Sequence, residues 1–202
     1  MYILYHNPYS QHARRVVALL EEAELPYELC NVAMEKDEHL SPAYLEINPN
    51  HQIPTLIDGE FKIHESNAIL RYLCTKHRIE EWYPSDPAAR AKVDQWLDWG
   101  QCRLSPAVVD IVLNKVFAGE RGDPAAIRRG EQRMAELGPI LAEGLNGNDY
   151  LAGERPSIAD LAIGSSISQL GFADAMPRQA TIAAWHQRVS GLPGFQKSMP
   201  TS

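Results

Sequence analysis

The chain has 202 residues, 45% of them apolar and 22% charged, which argues against disorder and supplies enough apolar material for a full core in one large or two modest domains. Its 19 Lys and Arg against 26 Asp and Glu leave a formal net charge of -7, so nucleic acid and anionic membrane surfaces are not expected partners. The three cysteines, Cys30, Cys74 and Cys102, are odd in number and form no C-x-x-C pair, which argues against a disulfide framework, a zinc site and a thioredoxin-type redox pair.

Tyr2 to Tyr5 read as a strand ended by Asn7-Pro8. Ser10 then opens a helical pattern with Ala13, Val16, Val17 and Leu20 on one face, and Arg14-Arg15 read as part of a solvated face. A second strand is expected over Pro26 to Val32, and a separation of roughly 20 residues suits a parallel crossover through the first helix. Ser41-Pro42 open a short helix that breaks at Asn48-Pro49. Pro54 to Ile57 and Phe61 to Ile63 flank Asp58-Gly59, a hairpin signal. Ser66 is expected to cap a further helix with Ala68, Ile69, Tyr72 and Leu73 on its apolar face. Residues 1–78 thus read as one α/β domain, followed by a linker near residues 77–86.

From Asp86 onward no alternating apolar run appears, and residues 86–202 read as an all-α domain. Asp86-Pro87 and Asp123-Pro124 are N-cap and first-turn pairs opening long helices, with Pro106 expected to kink the first. Ser157-Ile158-Ala159-Asp160 has capping-box form with Asp in the third helical position. The last helix, around Ile182, Trp185 and Val189, is expected to stop at Gly191 and Pro193. Trp96 and Trp99 read as core or as the seam of a dimer. No stretch of about 18 uninterrupted apolar residues occurs, and no charged run precedes a long apolar stretch, so a cytoplasmic protein is expected.

Ligand chemistry concentrates between Asn48 and Ser66. The strand after Ile53-Pro54 offers backbone N–H and C=O groups to a small peptide, and the helix start at Glu65-Ser66 offers N–H groups to a carboxylate. Standing alone, Glu65-Ser66 also reads as an ordinary cap preceded by a solvated acid. Ser10, before a helical pattern, has the same two readings, since a hydroxyl at a helix N-terminus both caps and donates to an anion. The histidines show no H-x₃-H or H-E-x-x-H spacing, and no metal is expected.

With Asn7-Pro8-x-Ser10-Gln11-x-x-Arg14-Arg15-Val16, then Glu38-His39-Leu40-Ser41-Pro42, Asn48-Pro49, Gln52-Ile53-Pro54 and Glu65-Ser66 in order before a helical second half, the chain resembles cytosolic glutathione transferases of the serine type, closest to the theta and phi classes. The resemblance implies a thioredoxin-like first domain, an all-helical second domain and a homodimer. It implies glutathione as co-substrate and a small hydrophobic electrophile as its partner. Ser10 matches the catalytic serine, and Tyr9 is its rival as donor or a wall of the electrophile pocket, whereas Tyr5 reads as packing. His39, Gln52, Ile53, Glu65 and Ser66 match glutathione-binding positions, and Leu104, Val108 and Ile111 lie on the helix that borders the hydrophobic pocket. His51 departs from the pattern, where glycine is usual. The alternatives are a glutathione-dependent peroxidase or dehalogenase using the same thiolate, and a binding protein that keeps the fold without turnover.

Overall fold

The computed structural model describes residues 1–200, which divide into two compact units, Met1–Glu80 with the segment from Gly191, and Glu81–Ser190. The first unit runs β1 (Tyr2–His6), α1 (Gln11–Glu22), β2 (Tyr27–Asn31), α2 (Pro42–Leu45), β3 (Thr55–Asp58), β4 (Phe61–His64) and α3 (Ser66–His77). The strand order is β2-β1-β3-β4, with β1 and β2 parallel and the other neighbours antiparallel. This is a thioredoxin-like sheet. Leu4 and Leu56, side by side on β1 and β3, are fully buried together with Val16, Leu19 and Leu20 of α1 and Ile69, Leu70 and Leu73 of α3, so the apolar stripes of both helices enter one core.

The second unit is helical: α4 (Pro87–Trp99), α5 (Ser105–Val112), α6 (Pro124–Gly144), α7 (Ile158–Gly171) and α8 (Ala180–Ser190). Asp86 and Asp123 cap α4 and α6 through Ala89 and Ala125, each followed by proline. Between α4 and α5 the backbone widens into a π-helical turn over Gly100–Leu104, directly before Pro106. A proline inside a helix lacks a donor and crowds the preceding turn, and the wider turn accommodates it. Trp96 is buried against Gly144, where a β-carbon would stand 2.2 Å from the indole ring. Its aromatic surface is therefore spent inside the unit.

The capping box at α7 is a buried polar knot. Asp160 accepts from the Ser157 N–H at 2.8 Å, the Ser157 hydroxyl at 2.9 Å, the Leu151 N–H at 2.9 Å and the Trp185 Nε1–H at 2.8 Å. One carboxylate thus joins the start of α7, the preceding loop and α8. Each buried donor left unsatisfied costs about 1–3 kcal/mol, so Asp160→Ala is expected to destabilise the protein by on the order of 4 kcal/mol. Ser157→Ala should cost only about 1 kcal/mol, as lost caps do. Denaturant midpoints of the two variants check the difference.

The segment after Gly191, which the sequence reading assigns to the helical domain, packs with the first unit instead. Its helix α9 (Pro193–Lys197) lies on α1. The Gly194 N–H donates to Glu22 at 2.6 Å and Lys197 to Glu21 at 2.6 Å. A β-carbon at Gly194 would come within 2.6 Å of the Ala18 carbonyl oxygen, so glycine permits this approach. Both α9 and α3 lie against α1, and Arg14 and Arg15 are only 1% and 2% exposed, which corrects their reading as surface residues. Arg14 donates to the Met199 sulfur at 3.3 Å. Among the described residues no helix is long and apolar enough to cross a membrane, and no group of three or more His, Cys, Asp or Glu side chains is arranged to hold a metal.

Candidate active site

Strand register gathers the separate sequence segments. Tyr5 stands opposite Cys30 of β2 and Thr55 of β3, and Thr55 stands opposite His64 of β4. The chain leaving β1 toward Ser10, leaving β2 toward His39, entering β3 through Gln52 and Ile53, and leaving β4 at Glu65 and Ser66 therefore lies at one end of the sheet. Pairing of strands distant in sequence brings these four short pieces together.

Ser10 is the N-cap of α1, its Oγ accepting from the Ala13 N–H at 3.3 Å. A hydroxyl that accepts through oxygen still has its proton to donate. The loop before it is braced by Asn7, whose side chain donates to the Val32 carbonyl at 3.2 Å and accepts from the Tyr9 N–H at 3.0 Å, while its own carbonyl accepts from the Ser10 N–H at 2.9 Å. Tyr9 is exposed, and Tyr5 packs edge-on against Tyr44 with ring centroids 5.9 Å apart. Burial lowers the Arg14 guanidinium to about 10. Burial and then the neighbouring Arg14 charge lower Arg15 to about 9. Burial and then Arg15 push His12 down to about 3. At neutral pH the first turns of α1 thus hold two buried cations and a neutral imidazole, and the two cations add to the helix terminus in favouring an anion beside Ser10.

The approach to β3 is fixed from beneath. The Gln52 carbonyl accepts from the Tyr44 hydroxyl at 2.7 Å and from Asn48 Nδ2 at 2.8 Å, Asn48 also reaches Thr55 Oγ1 at 3.2 Å, and the Asn48 carbonyl accepts from the His51 N–H at 3.0 Å. Tyr44, Asn48 and Thr55 are all buried. Ile53, joined to Pro54 by a cis peptide bond, lies outside the strand ladder. His51 has φ 47°, a left-handed conformation that glycine adopts freely, as the glycine implied here by the resemblance would. Its side chain is exposed.

Glu65, not Ser66, occupies the N-cap position of α3, correcting the expected cap, and Ser66 is the first helical residue. Glu65 has φ 68° and ψ 107°, a conformation that costs a residue with a β-carbon about 1–3 kcal/mol. The turn leaves the Glu65 side chain exposed and Ser66 buried at the helix end where backbone N–H groups lack intrahelical partners. His39 sits in the single turn Glu38–Leu40, its Nδ1 buried without a hydrogen-bond partner.

Leu104 and Val108, expected at the pocket, have no accessible surface, and Ile111, with 1%, borders a cavity lined also by Lys115, Met134 and Met176. The exposed apolar side chains on the same stretch are Val109, Leu113, Val116 and Phe117. Sequence reading also missed Asn7, Tyr44 and Asn48 as supports of these segments. The Asn48-Pro49 signal is visible as a chain break, but nothing local marks Asn48 as a buried hub.

Residues 1–75 match the family model described as the glutathione S-transferase N-terminal domain, and residues 106–193 match the glutathione S-transferase C-terminal domain. Glutathione S-transferase F10 of Arabidopsis thaliana is 33% identical over 206 residues, covering 98% of this chain and 96% of that one. Glutathione S-transferase theta-1 of Homo sapiens is 34% identical over 199 residues, with 95% and 83% covered. Among solved structures, the theta class glutathione S-transferase from the citrus canker pathogen Xanthomonas axonopodis pv. citri, with glutathione bound, superposes with a TM-score of 0.92 at 29% identity, covering 100% of this chain and 98% of that one.

Proposed function

This chain belongs to the glutathione S-transferase family, and on that premise we propose the division of labour within its site. The enzyme conjugates the thiolate of glutathione to small hydrophobic electrophiles. The Ser10 hydroxyl donates a hydrogen bond to the thiolate sulfur, held at the N-terminus of α1. Ile53 pairs its backbone with the cysteinyl unit, the Ser66 hydroxyl and the α3 N–H groups take the γ-glutamyl carboxylate, and Glu65 meets the ammonium. His39 and Gln52 hold the glycine end. The observation that carries this reading is the meeting of these four segments at one end of the sheet.

A thiol with pKa about 8.5 is roughly 3% ionised at neutral pH, and lowering it by two units requires about 2.7 kcal/mol of preference for the thiolate. A charge-assisted hydrogen bond from Ser10 and the α1 terminus together reach that magnitude. Thiolate nucleophilicity falls with pKa at a Brønsted slope of about 0.4–0.5, so a roughly 25-fold gain in ionised fraction returns only a few-fold in rate. Most of the acceleration then comes from positioning. Tyr9, exposed beside Ser10, is the proposed wall of the surface that receives the electrophile.

Retention on immobilised glutathione together with turnover of an aryl halide tests the activity. Retention without turnover leaves a binding protein, and no retention removes the reading. We further propose a cytoplasmic homodimer. Trp96 is core, and association is supported by Phe61 on the edge strand β4, exposed and in ring contact with Tyr72 at 5.0 Å. Sedimentation at micromolar concentration is expected to give a dimer, and Phe61→Glu to give a monomer.

A further inference from the structure

Arg15 connects the two helices whose starts form the site. It lies on α1, five residues beyond Ser10, which is about 7.5 Å of helical rise. Its Nη1 donates to Asn67 Oδ1 at 3.1 Å. Asn67 follows Ser66 in the first turn of α3, and the two bonded side chains are 2% and 8% exposed. A bond shielded from water is strong and directional. The amide accepts from the guanidinium without cancelling its charge, so the contact both fixes the turn and places a cation behind the α3 N-terminus, where an anion is favoured.

Resting on the assignment of Glu65 and Ser66 as the head-group clamp, we infer that Arg15 is a positioning residue for the γ-glutamyl end of glutathione, acting through Asn67. By holding the Asn67 side chain, it sets the first turn of α3 so that the Ser66 hydroxyl and neighbouring N–H groups meet the carboxylate. It also keeps that clamp in register with the helix that bears Ser10. The left-handed backbone of Glu65 fits this picture, since a strained turn persists only where its surroundings over-determine it.

The test is a binding cycle. Glutathione affinity is measured by calorimetry for the parent, Asn67→Ala, Arg15→Met and the double variant. It is measured in parallel for 4-aminobutyryl-cysteinylglycine, which is glutathione without its γ-glutamyl carboxylate. Each single change is expected to weaken glutathione about tenfold, and the double variant to be no weaker than either alone, the signature of groups acting as one unit. The carboxylate-free peptide should bind parent and variants alike, a pattern that general loosening of the fold would not produce. Arg15→Lys, with its charge kept and its planar fork lost, should restore part of the discrimination between the two peptides. Should Arg15→Met fail to fold, Asn67→Ala and Arg15→Lys decide. Unchanged glutathione affinity in the variants, or equal weakening of both peptides, overturns the inference. Absence of glutathione binding in the parent instead removes the family reading of the clamp.

Discussion

Ser10→Ala is expected to lower kcat/KM for an aryl halide by about tenfold or more at mildly acidic pH while leaving glutathione affinity within a few-fold. The hydroxyl is assigned to the ionised sulfur alone, whereas binding rests on Ile53 and on the Glu65-Ser66 turn. Removing the donor should raise the pKa of the bound thiol, because a hydrogen bond to the charged form favours that form. The sign then follows: a thiol with a higher pKa is less ionised at any pH below it, so the activity profile moves upward and the deficit shrinks in alkaline solution. The Oγ contact to the Ala13 N–H, 3.3 Å long, is lost as well, but an N-cap is worth only about 1 kcal/mol of stability. Thiolate absorbance of the glutathione complex, titrated in parent and variant, reads the shift directly. Coincident titrations with unchanged turnover would move the role to Tyr9, the exposed side chain beside Ser10.

Glu65→Ala or Ser66→Ala is expected to weaken glutathione binding by more than about tenfold, since each leaves a charged ligand group without its partner at about 1.5–3 kcal/mol per charge-assisted bond. The fold should survive both changes. Neither side chain closes the α3 cap in the free protein, so the loss falls on the ligand rather than on the helix. Alanine at position 65 retains a β-carbon and inherits the left-handed backbone, with φ 68°, so the turn geometry changes little and the comparison isolates the carboxylate. Calorimetric titration showing unchanged affinity in both variants would remove the clamp assignment.

Local signals were legible because their physics is local. Asp86-Pro87, Asp123-Pro124 and Ser157 to Asp160 mark helix starts through side chains that reach backbone groups two or three residues away. Asp58-Gly59 marks the hairpin between β3 and β4, with Gly59 at φ 62°. The pieces of the candidate site were equally readable, since Ser10, Ile53-Pro54 and Glu65-Ser66 each combine a turn or helix start with the residue type its chemistry requires. Glu65 against Ser66 as the cap was the local misreading, and the deciding quantity, a positive φ at Glu65, is invisible in a residue that rarely adopts one.

Burial followed a different rule. Periodicity identified Leu104, Val108 and Ile111 as apolar positions on one helix, but apolar character alone does not separate a side chain turned into the core from one offered to a ligand. Arg14 and Arg15 looked solvated because an amphipathic helix ordinarily keeps one face in water. Instead α9 meets α1 at Ala18, Glu21 and Glu22 through Gly194 and Lys197, Arg14 reaches Met199, and Arg15 reaches Asn67 of α3. The sequence by itself determined the element order, the caps and the residue types of the site, all products of interactions over a few residues. Only the tertiary structure decided which cations are buried, that Arg15 holds Asn67, and that Asn48 and Tyr44 support Gln52, because long-range contacts set the cost of burying a polar group and supply the partner that offsets it.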